Sequence, residues 1–246
     1  MVGNGCTGNN VGSCSPDGTE ILFNFLYGHG LFTIDLYNKI TKACTNFRNP
    51  NGACSLLLDE MSNQVGGVNI YNIYAPCVNG GAARANALRA PSFLPNIPGP
   101  VECIDGIDAG DYLNQAAVRT AIHVVGTNVV PEWTVCANID YNSNIPSLMP
   151  IYPTLIKNYR TLIFNGDVDA CVPYNGNEQW TSSLNLTVKQ GWRSWLVDEQ
   201  VAGYVTTYTL NGFAFLTVKG AGHMVPEYMP PQALAMFQRF IQNQPF

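Results

Sequence analysis

The chain has 246 residues, of which 46% are hydrophobic and 12% charged, and its formal net charge is −5. That apolar content can bury a sizeable core, as one large α/β domain or one domain with a subdomain. There is no basic footprint of the kind that holds a phosphate backbone, which excludes nucleic acid as a partner class. No run approaches the roughly 18 apolar residues that span a bilayer, so neither a transmembrane segment nor a membrane partner is expected.

In chain order, GNGCTG at residues 3–8 matches the GxGxxG dinucleotide pattern. Only Met1 and Val2 precede it and a polar loop follows, so the strand and helix that the pattern requires are missing and it is set aside. From about Ser15 to Met61 apolar residues recur at three- and four-residue steps, predicting a helical hairpin broken at Gly28 and Gly30. GVNIYNIYAPC, residues 67–77, reads as a short strand or extended segment, and residues 78–100 as an irregular excursion.

DAGDYLNQAAVRTAIHVV predicts a helix capped by Asp108 or Asp111, and a second helix is expected near residues 147–158. TLIFNGDVDACVP reads as a buried parallel strand that delivers a functional loop. VAGYVTTYTL and FAFLTVKG flank Asn211-Gly212, a strong hairpin signal. PPQALAMFQRFIQNQ closes the chain as an amphipathic helix whose first turn is preset by proline.

Strands alternating with helices over the last hundred residues argue for an α/β sheet, with chemistry on loops at the carboxyl ends of strands. The first hundred residues lack that rhythm and read as a mostly helical cap inserted into the sheet domain. The expected division is residues 1–14 as the end of a core strand and its loop, 15–105 as the cap, and 106–246 as the carboxyl-terminal part of the core.

Two loops follow predicted core strands directly: NGDVDACVP, with Asp167 and Asp169, and GAGHMVP, with His223. An acid followed by a histidine on strand ends fits the second and third members of a Ser-Asp-His triad, in which the acid fixes the imidazole tautomer and the imidazole shuttles the proton. The DxD spacing suggests a cation loop, but Cys171 and Val172 stand where such a loop needs an oxygen ligand and a glycine, so no metal is expected. No cofactor is expected either. His29 and His123 sit in apolar helical patterns, where a structural histidine is the commoner outcome.

The eight cysteines show no CxxC pair, which disfavours zinc and favours disulfides made in an oxidising compartment. The opening decapeptide has no basic or apolar region of a secretory signal. Either the cysteines stay reduced or the natural amino terminus lies outside this sequence. The sequon NLT marks Asn185 as a glycosylation candidate on a secretory route.

FNGDVDACVPYNGNEQW, FLTVKGAGHMVPEYMPPQALAMFQRFI, NIYNIYAPC and the opening MVGNGCT together resemble the serine carboxypeptidases, the family of lysosomal cathepsin A, essentially from end to end. The resemblance implies an α/β-hydrolase fold with a helical cap, Asp169 and His223 as catalytic residues, and Cys171 and Met224 lining the pocket for the leaving residue. It implies disulfides Cys6–Cys14, Cys44–Cys54 and Cys77–Cys103, a free Cys171, and a Cys136 whose partner lies near the amino terminus of the complete protein. Peptide or protein carboxyl termini would be the substrates, the lysosome, vacuole or exterior the location, and a homodimer of the full-length protein a partner arrangement.

The departure is large. The nucleophile motif resembling GESYAG is absent, no GxSxG occurs anywhere, and the glycine-rich oxyanion stretch and the Asn and Glu that bind a terminal carboxylate are missing. Ser13, Ser15 and Ser182 have no strand-turn-helix elbow around them. By the family pattern the sequence starts about halfway along, so the expectation is a partial α/β-hydrolase, inactive and poorly stable alone, because a histidine base without a hydroxyl forms no acyl-enzyme. The alternatives are an acyltransferase of the same family, a non-catalytic binding or protective subunit, and one chain of a two-chain enzyme.

Overall fold

A computed structural model describes residues 1–8, 10–77, 103–104, 106–137 and 144–246. A five-stranded mixed sheet organises the carboxyl-terminal half, in the order β1 (Val2–Gly3), β2 (Leu162–Gly166), β5 (Ala214–Val218), β4 (Gln200–Tyr208), β3 (Val188–Val197). β1, β2 and β5 are mutually parallel; β4 runs antiparallel to both β5 and β3. β2 and β5 are buried almost throughout, as expected of parallel strands covered on both faces.

Helices cover both faces. On one side α8 (Val225–Tyr228) and α9 (Pro230–Gln242) set Val225, Ala233 and Met236 against Leu162, Leu216 and Val218. On the other, α6 (Tyr152–Asn158) and α7 (Tyr174–Ser183) set Tyr152, Ile156 and Trp180 against Ile163 and Phe215. The predicted strands at 162–166 and around Asn211-Gly212 form as expected. Asn211 and Gly212 both take positive φ, 47° and 67°, which matches the twist of a two-residue hairpin. The helix near 147–158 and the closing helix also form.

The amino-terminal region departs from a simple helical hairpin. Three helices, α1 (Gly18–Gly28), α2 (Ile34–Ala43) and α3 (Gly52–Val65), pack around Phe23, Phe25, Leu26, Ile40 and Met61. Asn51 caps α3 through its side chain to Cys54 N (2.9 Å), and the Cys44–Cys54 disulfide clamps the end of α2 to the start of α3. Residues 67–77 form successive turns, not a strand, because Asn69 and Asn72 each accept from the backbone two residues on, the mark of Asx turns.

The helix expected after Asp108 is split into α4 (Ile107–Leu113) and α5 (Ala116–Ala121), and neither aspartate caps it. Asn114 lies at the break because its side-chain amide pairs with both the N–H and the carbonyl of Trp133, a tertiary bond that outweighs helical continuity. His123 is correspondingly exposed, in a left-handed turn after α5. The expectation for residues 78–100 falls outside the described residues. No described helix is long and apolar enough to cross a membrane.

Candidate active site

β2 ends at Gly166 and the chain turns to bring Asp169 inward, where it is fully buried. A buried carboxylate needs hydrogen-bond donors. Asp169 Oδ1 accepts from the backbone N–H of Cys171 (2.8 Å) and Val172 (3.2 Å), which fixes the rotamer and leaves Oδ2 pointing outward. Oδ2 meets Nδ1 of His223 at 2.8 Å.

His223 follows β5 on the neighbouring parallel strand, so adjacency of β2 and β5 places both loops at one edge of the sheet. Of the glycines before His223, Gly220 takes a positive φ of 74°, while Gly222, like Gly166 at the end of β2, answers to close approach. A Cβ at Gly166 would overlap the carbonyl oxygens of Ala221 and Gly222, and one at Gly222 would overlap that of Tyr71. The two loops therefore lie backbone to backbone, with Val168 N–H donating to Ala221 O (3.1 Å). Nδ1 is the ring nitrogen that faces Asp169, which leaves Nε2 on the far side of the partly exposed imidazole as the atom able to take a proton.

A third segment locks both loops. Ile70 O accepts from the N–H of Ala170 and of Cys171, both at 2.9 Å, and Ile73 N–H donates to Val168 O (3.1 Å). Tyr71 O accepts from His223 N–H (2.7 Å), and the Tyr71 ring stands edge-on to the imidazole at 5.4 Å. A fourth support comes from β1. Trp180 Nε1 donates to Asn177 Oδ1, Asn177 Nδ2 to Asn165 Oδ1, Asn165 Nδ2 to Asn4 Oδ1 (3.3 Å) and to Val172 O (3.0 Å), and Asn4 Nδ2 to His223 O (2.8 Å). Asn165, Asn177 and Trp180 are fully buried.

Sequence reasoning passed over Asn4, Asn165, Asn177 and Tyr71. A buried polar residue on a strand as apolar as LIFNG was the available signal for Asn165, since an unpartnered amide there would be costly. Asp167, the other candidate acid, does not reach His223. It accepts from Gly220 N–H (2.6 Å) and so ties the start of the histidine loop to the aspartate loop. Burial holds its carboxyl above the ordinary range, against the opposing hydrogen bond from Gly220.

Cys171 and Met224 flank the pair in sequence and are both partly exposed. Burial, and then the Asp169 charge, push the Cys171 thiol up to about 12. Ligand atoms of Asp169, Cys171 and His223 lie within 4.8 Å of one another. The carboxylate and imidazole already bond each other and the thiol holds its proton, so the set fits a hydrogen-bonded pair better than a cation site.

The serines lie elsewhere. Ser13, Ser15 and Ser182 donate to backbone carbonyls of Pro173, Gly12 and Glu178, and among the described residues no serine hydrogen-bonds His223. His29 ends α1 with Nδ1 against Phe25 O (2.8 Å). The structure bonds Cys6 to Cys14, Cys44 to Cys54 and Cys77 to Cys103, the pairings the resemblance implied, and leaves Cys136 and Cys171 free. Asn185 is exposed in the turn after α7.

The family model described as serine carboxypeptidase matches residues 1–243. Serine carboxypeptidase-like 20 of Arabidopsis thaliana is 34% identical, over 96% of this chain and 56% of that protein. Serine carboxypeptidase 1 of Hordeum vulgare is 31% identical over 98% and 55%. The lysosomal protective protein of Mus musculus is 32% identical over 97% and 58%. The chain thus spans about half the length of the curated relatives it matches. The crystal structure of a prohormone-processing carboxypeptidase from Saccharomyces cerevisiae superposes with a TM-score of 0.59 at 16% identity, over 98% of this chain and 53% of the other, a likeness of α/β-hydrolase fold.

Proposed function

We propose a role for this chain from one premise: it belongs to the serine carboxypeptidase family. The role is to supply the base and its orienting carboxylate to a serine carried on polypeptide outside these 246 residues. The observation that carries it is the Asp169 Oδ2–His223 Nδ1 hydrogen bond at 2.8 Å, with Asp169 buried and Nε2 left for a nucleophile. Such a pair takes the serine proton as the acyl-enzyme forms and returns it to the leaving amine.

The assembled enzyme would remove carboxyl-terminal residues from peptides, with Cys171 and Met224 beside the departing residue. This chain alone, which holds no GxSxG, would be inactive. Residues 15–105 would act as the cap, to which the helices α1–α3 belong. Three disulfides and the exposed sequon at Asn185 support a secretory route to the lysosome, vacuole or exterior. Cys136 would bond the missing portion. A second reading, a non-catalytic protective subunit, draws on the missing serine motif and on the name of the mouse relative.

Immunocapture from the native source through PQALAMFQRFI, followed by fluorophosphonate labelling with and without reductant, tests this. Label on a species about twice this length, or on a second chain freed by reductant, is the expected result. A single unlabelled species of 26.8 kDa would overturn it in favour of the protective subunit.

A further inference from the structure

β2 and β5 are parallel, so if their carboxyl ends carry the Asp169 and His223 loops, their amino ends lie at the opposite edge of the sheet. At that edge is a cavity of about 390 Å³. Arg160, Lys189, Arg193 and Arg239 line it, and no aspartate or glutamate does. Four of the chain's 12 lysines and arginines converge there, in a protein whose net charge is −5.

None of the four has a carboxylate side chain as ion-pair partner among the described residues. The three arginines are instead held by backbone, amide and ring contacts. Arg193 donates Nη1 to Phe246 O (2.9 Å) and Nη2 to Gln190 Oε1 (3.0 Å), and Arg239 Nη2 donates to Leu196 O (2.7 Å). Arg160 lies over the Phe240 ring at 4.6 Å, and its buried Nε has no hydrogen-bond partner among the described residues. Phe246 is the last residue, so its oxygen belongs to the terminal carboxylate and meets the charge of Arg193. The Leu196 carbonyl is neutral, so Arg160, Lys189 and Arg239 are left as like charges that repel one another across a shared hollow. A buried donor left unpaired adds a further penalty that an oxygen ligand would remove.

We propose that this cavity binds a small oxyanion of the phosphate class, either free phosphate or a phosphate monoester. Guanidinium forks match tetrahedral oxyanions in charge and shape. The volume falls within the small-molecule range of about 300–1,000 Å³, and Phe240 and Phe246 offer an apolar wall for the group esterified to the phosphate. The site lies apart from Asp169 and His223, so it stands or falls independently of the peptidase reading.

The test is calorimetric titration of inorganic phosphate and of phenyl phosphate into the 246-residue chain, at constant ionic strength in chloride, repeated with K189Q, R160Q and H223A. Saturable binding at one site is expected, weakened at least tenfold by K189Q and by R160Q and unchanged by H223A. Lys189 is exposed, so K189Q keeps the test meaningful if R160Q fails to fold, with circular dichroism checking each variant. Tighter binding of phenyl phosphate identifies an ester site and equal binding a free-phosphate site. No saturable heat with either probe, or affinities that K189Q leaves untouched, would overturn the proposal.

Discussion

Asn4 and His223, 219 residues apart in sequence, are joined by a 2.8 Å hydrogen bond from the Asn4 side-chain amide to the histidine carbonyl. That bond ends a buried chain running back through Asn165 and Asn177 to Trp180, and Asn165 also holds Val172 O, beside the aspartate that orients the ring. One network therefore fixes both the Asp169 and the His223 backbone. Asn165→Ala removes bonds at three partners and should lower unfolding free energy by about 2–4 kcal/mol. Asn4→Ala, on a partly exposed residue, should cost about 1 kcal/mol while broadening the His223 imidazole resonances. Urea titration and histidine NMR read the two effects separately, and unchanged imidazole signals in both variants would refute a positioning role.

Asp169→Asn presents an amide where a carboxylate accepts three hydrogen bonds. Its oxygen satisfies the Cys171 and Val172 N–H groups, so its NH2 must face His223 Nδ1, which can then only accept. The imidazole proton should move to Nε2, a change visible in long-range ¹⁵N–¹H correlation spectra. In an assembled enzyme the same variant is expected to lose activity by about 10³–10⁴-fold.

Gly222→Ala drives a Cβ into Tyr71 O and the Asn72 side chain. Overpacking against backbone that cannot yield should cost about 1–3 kcal/mol. Gly52→Ala is the contrasting substitution: its Cβ would meet nothing within 4 Å at the start of α3, so a gain of about 0.4–1 kcal/mol is expected. Thermal unfolding of the two variants should move in opposite directions.

Asp167 has its carboxyl raised above its ordinary value of 3.8 by burial. The folded state then binds the proton more readily than the unfolded one. Stability contributed by this residue is greatest below 3.8 and declines as pH rises through the raised folded value. Asp167→Asn keeps an acceptor for Gly220 N–H without the buried charge, so it should be at least as stable as the parent at pH 7, with that advantage shrinking on acidification. Asp167→Ala, lacking the acceptor, should lose about 1–3 kcal/mol at acid pH, a deficit that shrinks as pH rises and the parent acquires its buried charge.

Cys171, with its thiol at about 12, should react very slowly with iodoacetamide at pH 8 in the folded protein and rapidly in guanidinium, as followed by mass spectrometry. Because the Asp169 charge contributes to that rise, Asp169→Asn should speed native-state alkylation. Comparable rates in folded and unfolded protein would contradict the burial argument.

The legible parts of the sequence were those where local chemistry and tertiary demand agree. LIFNG is a buried strand by composition, Asn-Gly specifies a hairpin, and two acid and histidine loops after such strands announce themselves. β3 was missed because its turn is Asp198-Glu199, both with positive φ, without the glycine that signals such turns, and because VKQGWRSWLV exposes most of its length. The turns at 67–77 were read as extended because their apolar residues are buried by contacts with distant loops, not by a pleated sheet. Contacts of that range leave no periodicity: Asn4, Tyr71 and Asn165 gain their roles only when three remote segments meet.

Those turns have a dynamic corollary. Ile70 and Tyr71 hold the main chain of the aspartate loop and of the histidine loop respectively, and they follow directly on α3. Partial fraying of the helical region would release the Asp169 and His223 loops at once while the sheet stayed intact. Loss of the Asp169–His223 geometry on warming would then precede the loss of bulk secondary structure, and amide exchange at Ala170 and His223 would report the same opening event, at the same rate, as exchange in the last turn of α3.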